Sequence, residues 1–175
     1  MRSRRPVGST VAVIGTRSPS AEATAACIAI CRALVAAGYS LATGNAGGID
    51  SIARDVWNET APEKVTLVLP WPDYNCDKIH PRNNTLVYRG QPDWAKSVSK
   101  YHPFPGRLSE AAFKLHARNY GIVSIAGAVV AFPSDRLKAG GTGQGIRIAE
   151  ALGKPLLIWP WNNLSLALFR TTAGF

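Results

Sequence analysis

Long apolar runs are missing from this sequence. The longest, such as Gly127 to Pro133, have the length of a strand and are far too short to span a bilayer. The start, Met1-Arg2-Ser3-Arg4-Arg5, is basic, but no long apolar segment with a cleavage site follows. Val11-Ala12-Val13-Ile14 stops at Gly15 and reads as a strand, not a signal peptide. Cysteine is scarce: Cys27, Cys31 and Cys76. An odd count argues against a closed disulfide framework. Cys27 and Cys31, four apart on an expected helix, read as small buried hydrophobes in a reducing cytoplasm. The scattered histidines, His80, His102 and His116, add no ligand pattern, so neither a metal nor a cofactor is expected. Acids are few, 11 against 20 Lys and Arg, which leaves a net charge of +9. Such a surface favours polyanions, although Arg2, Arg4 and Arg5 of a basic arm supply part of the excess. Two common phosphate-binding signatures are absent as well. Gly15 is not followed by G-x-x-G, and no G-K-[ST] follows a glycine run, which disfavours a conventional NAD dehydrogenase or P-loop ATPase.

What is present is an ordinary globular composition, 46% hydrophobic and 18% charged, in 175 residues, which suits one domain. Residues 1–9 read as a flexible arm and 10–175 as the domain. Thr10 to Ile14 reads as a buried strand, Glu22 to Ala37 as a helix and Tyr39 to Thr43 as a second strand. Ile49 to Trp57 and Lys64 to Leu69 continue the alternation, which implies a mostly parallel sheet with right-handed crossovers. Residues 70–106, rich in proline and aromatics, read as an insert with one short helix at Asp93 to Lys100. Within it, Arg82-Asn83-Asn84 beside Trp71, Tyr74 and Tyr88 either stacks a base or packs as a loop on itself. Ser109 to Ser124 is a helix capped by Ser109, and Ala128 to Phe132 is a strand followed by a polar loop through Ala139. The Gly140 run then opens a helix at Ile146 to Leu152, Pro155 to Trp159 is a fifth strand, and Leu164 to Phe169 is a short tail helix. Trp159 and Trp161 read as core or subunit contacts.

Three strand-to-helix turns fall on one edge of such a sheet: Gly15-Thr16-Arg17-Ser18, Gly44-Asn45-Ala46-Gly47-Gly48-Ile49-Asp50 and Gly140-Gly141-Thr142-Gly143-Gln144-Gly145. Glycine lets backbone N–H groups approach an anion, and each following helix offers unpaired N–H groups and a positive dipole end. Thr16, Ser18 and Thr142 add hydroxyls, and Arg17 adds a charge-assisted bond. Asp50 either bonds ligand hydroxyls or caps its own helix.

The ordered set Val13-Ile14-Gly15-Thr16-Arg17, Thr43-Gly44-Asn45-Ala46-Gly47-Gly48-Ile49-Asp50, Ala117-Arg118-Asn119 and Gly140-Gly141-Thr142-Gly143 resembles the SLOG superfamily, which includes DNA-processing protein A and the lonely-guy phosphoribohydrolases. The resemblance covers most of residues 10–160 outside the insert. It implies an α/β fold: a Rossmann-like three-layer sandwich with a mostly parallel sheet of about five or more strands. The first two pieces are most similar to DNA-processing protein A, and the resemblance implies that Arg118 and Asn119 face the ligand edge. The Gly140 turn is similar to the lonely-guy turn, but Arg147 stands where those enzymes carry a catalytic glutamate. Gln144 stands where they carry a threonine. An arginine cannot act as that carboxylate and instead attracts phosphate.

The leading expectation is a nucleotide or nucleotide-derived ligand, bound without catalysis by the three turns with Arg118, Asn119 and Arg147. The first alternative is single-stranded DNA, held as DNA-processing protein A holds it. The second is hydrolysis of a nucleoside monophosphate's glycosidic bond, with Glu150, Asp50 and Glu110 as the available carboxylates. A homodimer or higher homo-oligomer is expected, with the apolar tail offering a surface.

Overall fold

The computed structural model describes residues 9–134 and 140–175. Residues 1–8 of the expected arm and 135–139 of the expected polar loop lie outside the described residues. Six strands, β1 (Thr10–Gly15), β2 (Ser40–Thr43), β3 (Val65–Leu69), β4 (Asn84–Val87), β5 (Ala128–Phe132) and β6 (Leu156–Ile158), form one sheet in the order β4-β3-β2-β1-β5-β6. Every pair is parallel. The helices are α1 (Ala21–Ala36), α2 (Ile49–Asn58), α3 (Pro92–Tyr101), α4 (Glu110–Ser124), α5 (Gly140–Ala151) and α6 (Asn163–Ala173).

The central strands are mostly apolar because both sheet faces are covered. Alternate residues of β1 serve opposite layers. Val11 and Val13 join Leu34 of α1, Trp57 of α2 and Phe169 of α6, while Ala12 and Ile14 join Ile122 of α4 and Ile146 of α5. This is the three-layer, Rossmann-like arrangement. Each fully buried large side chain, such as Leu34, Leu41 or Leu67, contributes about 1.5–3 kcal/mol. Trp57 keeps its polar end paired, donating from Nε1 to the Tyr39 carbonyl at 3.0 Å. Ser20 starts α1 by accepting from the Ala23 N–H (3.1 Å), and Ser109 starts α4 by accepting from the Ala112 N–H (3.2 Å).

Two expectations are corrected. The insert at 70–106 holds a strand, β4, besides helix α3. Asn84 to Leu86 are exposed, so the apolar pattern that signals a strand is missing, and pairing with β3 is what orders them. Its Arg82-Asn83-Asn84 segment anchors the chain. Arg82 pairs with Glu63 at 2.7 Å, Asn83 donates to Asn58 Oδ1 and the Pro62 carbonyl, and Asn84 donates to the Glu63 carbonyl. Helix α5 begins at Gly140, not at Ile146, so the glycine run forms its first turns. The reason lies at Gly145, where an added Cβ would stand 2.5 Å from Ile14 Cδ1. The missing side chain lets α5 lie directly on β1. Among the described residues, no helix is long and apolar enough to cross a membrane.

Candidate functional site

From β1 the chain winds through β2 to β3, with α1 and α2 on one face. From β5 it winds the other way to β6, with α5 on the opposite face. At the carboxyl ends of β1 and β5 this reversal leaves a crevice that neither connection covers. A cavity of about 330 Å³ occupies it. Gly15, Thr16 and Arg17 form one wall, Ala46 and Asp50 a second, and Gly140, Gly141 and Thr142 of α5 a third. Ala112, Leu115, His116, Arg118 and Asn119 of α4 close it.

The first turn is locked to its neighbours through its backbone. The Thr16 N–H donates to the Phe132 carbonyl at 2.8 Å, and the Thr16 carbonyl accepts from the Ile49 N–H at 3.1 Å. Gly48 makes this approach possible. Its φ is +72°, and a Cβ there would collide with the Thr16 carbonyl and the Arg17 backbone. Arg17 itself is exposed at the cavity rim.

The second turn is held by buried charge. Asp50 Oδ2 accepts from the N–H groups of Gly44 (3.1 Å) and Ala46 (3.3 Å). Arg118 donates to the carbonyls of Gly44 and Val68, tying the turn to the end of β3, and lies 5.7 Å from the centre of the Tyr74 ring. Both side chains are only 5% exposed. Burial pushes the Asp50 carboxyl above its ordinary value, while the Arg118 guanidinium and the two N–H groups pull it down. Burial likewise lowers Arg118, with Asp50 opposing.

A polar cluster connects α4 to α5. Gln144 Oε1 meets His116 Nδ1 at 2.6 Å and Asn119 Nδ2 at 2.9 Å. With Oε1 accepting, a neutral imidazole carries its proton on Nδ1 and offers Nε2 as an acceptor. Burial holds His116 below the ordinary histidine value, against the pull of Gln144. Gln144 Nε2 is buried with no hydrogen-bond partner among the described residues.

Ten of the sequence-predicted residues therefore meet at one cavity: Gly15, Thr16, Arg17, Ala46, Asp50, Arg118, Asn119, Gly140, Gly141 and Thr142. The others are placed elsewhere. Ser18 borders a neighbouring cavity. Gly44, Asn45, Gly47 and Gly48 build the second turn without lining the cavity, and the Asn45 side chain is buried, donating to the carbonyls of Tyr74 and Asn75 and accepting from Arg54. Gly143 and Gln144 are buried inside α5. Arg147 donates from Nε to the Tyr101 carbonyl at 2.9 Å, which directs it to α3 rather than to a phosphate in the cavity. Glu150 is exposed on α5, and Glu110 is exposed and paired with Lys114 at 2.6 Å. His116, Ala112 and Leu115 escaped the sequence reading. Stepping back from Asn119 by three, four and seven residues finds all three, because those spacings share a helix face.

The arrangement suits an anion. The start of α5 contributes N–H groups that its own helix leaves unpaired, Arg17 adds charge at the mouth, and hydroxyl and imidazole groups line the sides.

The family model for DNA recombination-mediator protein A matches residues 4–168. Three solved structures share the fold. DNA processing protein A from Helicobacter pylori, described for its single-stranded DNA binding mode, is 22% identical with a TM-score of 0.62, over 93% of this chain and 73% of that one. DNA processing protein A from Streptococcus pneumoniae is 19% identical with a TM-score of 0.63, over 94% of this chain, which spans only 54% of that protein. The Moco carrier protein from Chlamydomonas reinhardtii is 17% identical with a TM-score of 0.56, over 94% and 83%. No curated protein matches the chain.

Proposed function

Because the chain belongs to the DNA recombination-mediator protein A family, we propose that it binds single-stranded DNA, with one nucleotide of the strand seated in the switch-point cavity. The observation that carries this reading is the position of Arg17: exposed, and lining the same cavity as the residues at the start of α5. The Helicobacter pylori relative is described as binding single-stranded DNA, and a net charge of +9 supports the same class of partner. Exposed Leu164 and Leu168 on α6 fit pairing of two copies, which sedimentation at micromolar concentration reads out.

The test is fluorescence anisotropy with a labelled oligothymidylate across a salt series. Affinity should fall linearly on a log–log plot, with a slope of roughly −0.7 for each phosphate engaged. A flat salt response, or no binding at low salt, contradicts the proposal.

A second reading is favoured by one observation. The cavity, about 330 Å³, is compact and walled on several sides, which suits a free nucleotide as well as one link of a strand. Competition by mononucleotides at equal affinity to the oligonucleotide would select it. Hydrolysis of a glycosidic bond is less well supported. Among the described residues, Asp50 is the carboxylate that lines the cavity, and it is occupied in bracing the second turn.

A further inference from the structure

The seam between β1 and β5 has a cavity on each side. The one described above opens on the α4 and α5 side. The other, about 520 Å³, opens toward α1, and the two share Thr16 and Ser134 as a common wall. Their linings are chemically opposite. The first contains Arg17, Asp50, His116 and Arg118. Among the described residues, none that lines the second carries a charge; Pro19, Ala23, Pro133, Trp159 and Pro160 share its surface with the hydroxyls of Thr16, Ser18, Ser20 and Ser134. The start of α1 is not what recommends this place, because Ser20 already caps it.

Trp159 is the feature that points to a ligand. It is only partly buried, and its ring is fixed from behind. Phe132 stacks on it with centroids 6.2 Å apart, and Trp161 meets it edge-on at 4.9 Å. A partly buried indole, packed from behind in a pocket whose described lining carries no charge, suits a flat aromatic ring, and a nucleobase is such a ring. The sequence alone gave Trp159 a packing role, and the structure gives its ring an open side as well.

We propose that this second cavity is a nucleobase subsite, in which the nucleotide adjacent to the one in the charged cavity stacks its base on Trp159, its backbone crossing the shared wall at Thr16 and Ser134. The proposal rests on the single-stranded DNA reading. A strand threaded this way places charge where the protein has charge and an aromatic ring where it has none.

The experiment compares the full chain's affinity for thymidine monophosphate, for the dinucleotide pTpT, and for two dinucleotides with one base replaced by an abasic unit at either position. Intact pTpT should bind about 5- to 150-fold more tightly than the monophosphate, the range that stacking one base provides. Each abasic version should lose most of that gain. Trp159→Ala should abolish the gain while leaving monophosphate affinity unchanged. Trp159→Phe, which keeps a ring against Phe132, should retain part of the gain and lose the quenching of tryptophan emission that pTpT produces. Equal binding of monophosphate and dinucleotide by the wild type overturns the subsite and leaves the charged cavity standing. So does an equal loss for both ligands in Trp159→Ala. Failure of every ligand and of a long oligonucleotide defeats the underlying reading, and the subsite with it.

Discussion

The first and second glycine turns both join a strand to a helix, yet they do opposite things. In the second, most of the polar capacity is spent on the protein itself. The N–H groups of Gly44 and Ala46 go to Asp50, the Gly44 carbonyl goes to Arg118, and the Asn45 side chain is shared among Tyr74, Asn75 and Arg54. In the first, the backbone is fixed by Phe132 and Ile49, the Thr16 hydroxyl accepts from the Ser18 N–H at 3.2 Å, and the Arg17 side chain is left facing solvent at the cavity. One turn is a frame and the other is a mouth. Glycine-rich loops therefore divide into two kinds, and what separates them is where their donors and acceptors are already paired.

The comparison breaks hardest at Asp50. Asp50→Ala removes one partner of a buried charged couple and strands two N–H groups, so urea unfolding should show a loss of about 3–5 kcal/mol. Gly48→Ala should come next, at roughly 2–3 kcal/mol, because it forces a side chain to a positive φ and into the first turn's backbone. Arg17→Ala should behave in the reverse manner. Its stability should stay within about 0.5 kcal/mol of wild type, while oligonucleotide affinity falls and the salt slope shrinks by about 0.7. A large loss of stability in Arg17→Ala, or unchanged binding, would erase the distinction between frame and mouth.

The smallest effect is expected from His116. Burial depresses its pKa, so as pH falls the unfolded chain takes up a proton first. Stability from this group is complete above the ordinary histidine value of about 6.5 and is lost as pH falls through the lower folded value. Thermal melts between pH 7 and 5 should show this slope in the wild type and a flatter one in His116→Phe.

Local chemistry was the legible part of the sequence. The strand ending at Gly15, the start of α2 at Ile49 and the serine caps each depend on a few neighbouring residues, and each reads correctly from them. Properties set by distant packing were not legible. Glycines at 140–145 look like a loop because glycine is a poor helix former, yet they fall within α5, where Gly145 lies against Ile14 of β1. Arg147 looks like a phosphate ligand until the helix register points it at Tyr101. Strand β4 carries no apolar alternation, since its order comes from β3 beside it.

The pairing of β1 with both β2 and β5 has a consequence for how the molecule comes into being. Val11 lies beside Leu41, which follows soon after it, but also beside Ala128, far along the chain. During synthesis, β1 can find its first partner early and must wait for its second until most of the polypeptide has emerged. Until then it is an apolar edge strand, open to pairing with a wrong neighbour. Both cavities lie on that late-closing seam, so a ligand seated in either would require the long-range pairing of β1 with β5 to be in place. Capture of the proposed ligand would then double as a readout of that pairing.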